Sequence, residues 1–91
     1  MTQETPELKA MRGLDAESLL QNPAYERAIR ATKAFYVNQW LNSDPEDGET
    51  RIQAYQAVKV VDHVDNQVRQ FYSDGKAANL VMRQLEDVLN G

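Results

Sequence analysis

From Glu49 to Tyr72 the chain carries no Gly and no Pro, and its apolar residues return with a helical rhythm. Ala54, Ala57, Val61, Val64, Val68 and Phe71 are spaced alternately by three and four residues. That spacing puts them on one face of an α-helix, close to a heptad seam. Ile52, Tyr55, Val58 and Tyr72 widen the stripe. Apolar and polar positions do not alternate with period two, so the pattern is not that of a strand. A helix of this extent, roughly 35 Å at 1.5 Å per residue, presents more apolar surface than one small neighbour covers.

The punctuation on either side divides the rest of the chain. Asn22-Pro23 reads as an N-cap followed by a residue pre-shaped for the first helical position. A second helix is expected from Pro23 to about Asn42, with Tyr25, Ala28, Ile29, Thr32, Phe35, Tyr36, Gln39 and Trp40 on its apolar face. The turn formers from Asn42 to Gly48 end it, and Pro45 disfavours helical geometry at Asp44. The long helix opens near Glu46–Glu49, where acidic residues suit the positive end of the helix dipole. Upstream, a short helix is expected from about Leu14 to Gln21, with Asp15 able to accept from its free N–H groups. Residues 1–13 read as an N-terminal tail, in which Pro6 to Met11 could form a short helix held by few contacts. Downstream, Ser73-Asp74-Gly75 reads as the close of the long helix, with Gly75 as a left-handed C-terminal residue. A last helix follows from Lys76 to Leu89, with Ala77, Leu80, Val81, Leu85, Val88 and Leu89 on one face.

These elements predict an all-α fold, with residues 14–91 forming a single helical domain. The short connection between the two long helices implies an antiparallel helical hairpin, flanked by the two shorter helices. Its two apolar stripes exceed what one hairpin buries, so an oligomeric bundle is expected.

Composition narrows the function classes. The 91 residues make a small domain, 42% hydrophobic and 26% charged, in the range of ordinary folded chains. Cysteine is absent, which removes disulfides, thiolate metal sites and cysteine nucleophiles. No apolar run approaches the roughly 18 residues that span a bilayer, and the polar start Met1-Thr2-Gln3-Glu4-Thr5-Pro6 is unlike a secretory signal. A net charge of −4 argues against broad electrostatic attachment to nucleic acid.

Candidate chemistry is sparse. His63 is the only histidine. Asp62 adjoins it and points elsewhere on a helix, so His63 reads as a solvated surface residue rather than a ligand or base. Asp44-Pro45-Glu46-Asp47-Gly48-Glu49 resembles a calcium loop in composition only. With Gly48 at the sixth position of an EF-hand loop, Ala54 would fall where the bidentate Glu belongs. Arg27, Arg30 and Lys33 recur along the second helix, opposite its apolar face. They are the candidate contacts to phosphate groups, against the plainer reading of a solvated flank paired with nearby acids. Tyr25, Phe35, Tyr36 and Trp40 on the second helix, with Tyr55, Phe71 and Tyr72 on the long one, are the candidate interface residues. No nucleophile–base set and no phosphate-cradling glycine loop is present, so a non-enzyme without cofactor or metal is expected.

The run Ala16-Glu17-Ser18-Leu19-Leu20-Gln21-Asn22-Pro23-Ala24-Tyr25 resembles the "LLxNPxF/Y" opening of a family of small helical proteins of tailed bacteriophages. The likeness continues through Ala28 and Trp40 to Asp44-Pro45-Glu46-Asp47, includes Arg51, Tyr55 and Gln56, and ends at Ser73-Asp74-Gly75-Lys76. Members tend to be encoded among packaging and head-assembly genes, and the family brings no catalytic residues to transfer. The resemblance implies an accessory protein acting by protein–protein contact in head assembly or DNA packaging. Its expected place is the cytoplasm of the infected bacterium or the virion, and its expected partners are itself and a phage head or packaging component. The alternative is a small acidic inhibitor of a host factor or defence complex, presenting Asp44, Glu46, Asp47 and Glu49, with Asp62 and Asp65, to a basic host surface.

Overall fold

The computed structural model describes residues 4–91. Among them lie three α-helices and no strand: α1 (Pro6–Leu20), α2 (Pro23–Leu41) and α3 (Gly48–Asn90). The fold is all-α. The chain divides into two units, one of Met1–Gln21 with Gln67–Gly91, the other of Asn22–Asn66. The first three residues of the expected tail lie outside the described residues.

Local chemistry sets the helix starts. Thr5 caps α1, its hydroxyl accepting from the Leu8 N–H at 3.2 Å, and Pro6 occupies a position whose N–H would have no partner. Asn22 caps α2 as expected, accepting from the Ala24 N–H at 2.9 Å. Asp47 caps α3, accepting from the Thr50 N–H at 3.1 Å and from the Thr50 hydroxyl at 2.7 Å. Asp44 accepts from the Glu46 N–H at 3.0 Å, so the acidic connection builds its own turn.

Two expectations fail at glycines, for one reason. Residues 6–13, expected as a tail with at most a short helix from Pro6 to Met11, are the first part of α1, which starts at Pro6 and runs through Gly13 without a break. The expected stop at Ser73-Asp74-Gly75 is absent: α3 continues to Asn90, and among the described residues no glycine has positive φ. Gly13 and Gly75 are instead the crossing point of α1 on α3. A methyl group on Gly13 would stand 2.7 Å from the Gly75 Cα and 3.2 Å from the Phe71 carbonyl oxygen. One on Gly75 would stand 2.6 Å from the Gly13 Cα and 3.1 Å from the Lys9 carbonyl oxygen. The helices therefore touch backbone to backbone. Ala10 and Ala16 from α1 and Ala78 from α3 are buried around the contact. Close packing over these small residues offsets the roughly 1 kcal/mol that each mid-helix glycine costs.

In the other unit α2 lies against the first part of α3. The Tyr25 hydroxyl donates to Asp65 at 2.9 Å, Lys33 pairs with Asp62 at 2.6 Å, and the Arg51 guanidinium stacks 5.1 Å from the Trp40 ring centre. The start of α2 thus meets later residues of α3, and its end meets earlier ones. Ala54 is the one fully enclosed apolar side chain here, 1% exposed.

The face that α3 buries is rotated from the expected seam. Ala54, Val58, Val61, Asp65, Val68, Tyr72 and Gly75 are shielded at intervals alternating by four and three, and Ala57 and Asp62 are half-buried beside them. Of the expected seam, Ala54, Ala57, Val61 and Val68 are shielded. Val64 and Phe71, expected inside, are 50% and 37% exposed. Asp65 takes the inward place because it has the Tyr25 hydroxyl to accept from. On α2, Tyr25, Ile29, Lys33 and Tyr36 are half-buried, while Ala28, Thr32, Phe35 and Gln39 are exposed.

The glycine crossing makes a sharp prediction. Gly13→Ala and Gly75→Ala should each lower stability by about 1–3 kcal/mol through overpacking, despite alanine's better helix propensity. Gly48→Ala, whose added methyl meets nothing within 4 Å, should be neutral or stabilising by up to about 1 kcal/mol. Thermal and urea unfolding followed by circular dichroism would check both signs.

Candidate interaction surfaces

The buried apolar side chains among the described residues are Ala10, Ala16, Ala54 and Ala78, and no large side chain is fully enclosed. Burying one methyl-sized group contributes about 0.8 kcal/mol, against about 1.5–3 kcal/mol for a whole Leu or Phe. The large apolar side chains stand open to solvent instead: Phe35 is 64% exposed, Tyr55 61% and Leu89 83%. Candidate function therefore lies in surfaces rather than in an enclosed site.

Three of the expected interface residues converge. Tyr36 and Trp40 from α2 and Tyr55 from α3, with Val37, Ala54 and Val58, line an open apolar groove of about 360 Å³. The Arg51 guanidinium lies over the Trp40 ring, and the Lys59 ammonium lies 5.5 Å from the Tyr55 ring centre. Both cations are thus held at the groove edge by the faces of rings that line it. Phe35 packs edge-on against Tyr36, ring centres 5.1 Å apart at 85°, and extends the aromatic surface outward. Tyr25 belongs to the same unit, but its hydroxyl is committed to Asp65.

Phe71 and Tyr72 belong to the other unit. Phe71 carries the Arg12 guanidinium 5.6 Å from its ring centre, and Arg12 is paired with Glu4 at 2.7 Å. That hydrogen-bonded pair holds the Glu4 carboxyl below its ordinary range. Tyr72 carries the Lys76 ammonium at 4.6 Å. Hydrogen bonding to Tyr72, then charge, holds Lys76 above its ordinary value. Tyr72 also borders an open depression of about 320 Å³ with Glu17, Leu20, Gln21 and Arg69.

The basic stripe is largely spoken for. Arg30 pairs with Glu26 at 2.7 Å and Lys33 with Asp62 at 2.6 Å, while Arg27 is exposed. Much of the acidic set is engaged as well, since Asp62 holds Lys33, Asp65 accepts from Tyr25, and Asp44 and Asp47 build the entry to α3. His63 is exposed. Among the described residues no three His or carboxylate groups gather in a way that could hold a metal ion, and no helix is long and apolar enough to cross a membrane.

Arg51, Lys59 and Val37 were not singled out for the groove by spacing alone. The available signal was Arg51-Tyr55-Lys59, each four residues on from the last, which places both cations beside Tyr55 on one helix face; in the structure Lys59 lies over Tyr55 and Arg51 over Trp40. No family model, curated protein or solved structure matches the chain.

Two measurements test this geometry. Tyr25→Phe should cost about 1 kcal/mol by removing the hydroxyl's bond to Asp65, whereas Tyr55→Phe, at an exposed ring, should change stability by less than about 0.5 kcal/mol. The Asp47 carboxyl is held below its ordinary value by the Thr50 hydroxyl and then the Thr50 N–H. Its folded-state value is thus depressed, so its contribution is complete above the unfolded value and fades as pH falls through the folded one. Acid titration followed by hydrogen exchange at Thr50 should show the start of α3 loosening in that range. Asp47→Asn, which keeps an acceptor, should remove this pH dependence.

Proposed function

We propose that this chain is a non-enzymatic bacteriophage accessory protein that acts by protein–protein contact in head assembly or DNA packaging. The observation that carries the contact mechanism is the mismatch between a buried core of alanines and an exposed set of aromatic and branched side chains. A small chain that leaves Phe35, Trp40, Tyr55 and Ile52 open has its strongest hydrophobic contribution still to make, and partners supply it. The order of contacts between α2 and the first part of α3 supports the antiparallel helical hairpin as the working element. In this reading, self-association into an oligomeric bundle covers part of the remainder, and a head or packaging component covers the rest. The setting comes from the resemblance across residues 14–76, and with it the infected cell's cytoplasm or the virion as the place of action.

The host-inhibitor reading asks for an acidic face free to meet a basic partner. Asp44, Asp47, Asp62 and Asp65 are occupied within the chain, which favours the apolar surface over the acidic one. The same argument ranks nucleic acid lower, because Arg30 and Lys33 are already paired.

In infected cells, tagged protein should copurify with portal, capsid or terminase. Trp40→Ala and Tyr55→Ala should each weaken that association by about 2 kcal/mol, as anchors at the centre of an interface do. Normal particle yield after gene deletion, together with absence from particles, would overturn the proposal.

A further inference from the structure

The groove between α2 and α3 has a chemical counterpart on the same chain. The end of α3 carries Val81, Leu85, Val88 and Leu89 at helical spacing, 46%, 55%, 78% and 83% exposed. All of residues 83–90 are exposed, and none is paired with a cation by an ion pair among the described residues. On a helical projection Glu86 borders this apolar arc on the Leu89 side, while Asp87 falls toward the opposite face. The groove has the reverse character: an apolar floor of Val37, Ala54 and Val58 between aromatic walls, with Arg51 and Lys59 at its edge. Neither cation has a carboxylate partner within 4.0 Å among the described residues.

We propose that the groove lined by Tyr36, Trp40 and Tyr55 receives the C-terminal end of α3 from a second copy of this chain. Leu85, Val88 and Leu89 fill the apolar floor, and Glu86, at the border of that arc, meets the cationic edge formed by Arg51 and Lys59. This is the helix-in-groove mode, in which apolar residues three and four apart anchor the helix and flanking charges set its orientation. Each copy offers one donor end and one acceptor groove. The contact is therefore between unlike surfaces, and it closes as a reciprocal pair or a ring, or extends as a filament. The inference rests on the self-association part of the reading above and names the surfaces responsible.

Complementation between two defective variants tests it. Leu85→Asp/Leu89→Asp spoils the donor end and leaves the groove intact. Tyr55→Asp/Lys59→Glu spoils the groove and leaves the donor end intact. All four positions are exposed, and far-ultraviolet circular dichroism establishes that both variants keep the wild-type helix content. By sedimentation at micromolar concentration the wild type should be oligomeric, each variant alone monomeric, and an equimolar mixture a one-to-one heterodimer. Glu86→Arg should weaken wild-type assembly about threefold, and Arg51→Glu/Lys59→Glu in the same chain should restore most of it, whereas Asp87→Arg alone should leave assembly unchanged. An oligomeric wild type whose variants stay oligomeric, or whose mixture stays monomeric, overturns this docking while leaving self-association standing. A monomeric wild type overturns both.

Discussion

A helix can bury only the face that a neighbour covers, and α3 is longer than its neighbours. It runs for 43 residues, against 15 in α1 and 19 in α2. In one unit α2 lies against its first part, and in the other α1 crosses it at Gly75. The two parts are made differently. Against α2 the seam is lined by Val58, Val61 and Asp65, with polar bridges and a stacked guanidinium holding the helices. Against α1 it narrows to glycine and alanine, so the backbones meet directly. Neither arrangement encloses a large side chain, and this is the source of the exposed aromatic and aliphatic surface.

Close packing over small residues and open packing over large ones have different consequences. At the Gly13–Gly75 crossing the contact is set by backbone position, and a single methyl displaces it. In the groove the walls are rings, with Arg51 over Trp40 and Lys59 over Tyr55, and the space between them is open. Cations over exposed rings add about 0.5–1 kcal/mol each, which suffices to bias ring orientation without closing the groove. The first kind of contact fixes where two helices lie. The second leaves a surface shaped for something else.

Much of this was legible in the sequence, and the misses share a cause. Asn22-Pro23 announced its helix because both residues have a local role that needs no tertiary partner. The acidic entry to α3 was legible for the same reason. Gly75 was misread because the sequence signal for a helix stop and that for a helix crossing are the same residue. Only the position of Gly13 on another helix separates them. The rotation of the seam toward Asp65 has a similar origin. A carboxylate looks like a surface residue until Tyr25 is brought to it. Of the candidate interface residues, Tyr36, Trp40 and Tyr55 share one groove. Their flanking cations escaped notice because stacking on a ring is a property of geometry rather than composition.

Trp40 is the only tryptophan in the chain, and its indole is a wall of the groove with a guanidinium on its face. Light at the red edge of aromatic absorption, which indole takes up and phenol does not, therefore excites that wall alone. The protein carries a native optical reporter placed where contact is expected, and occupancy of that wall can be followed in the unlabelled chain by the colour of its own light.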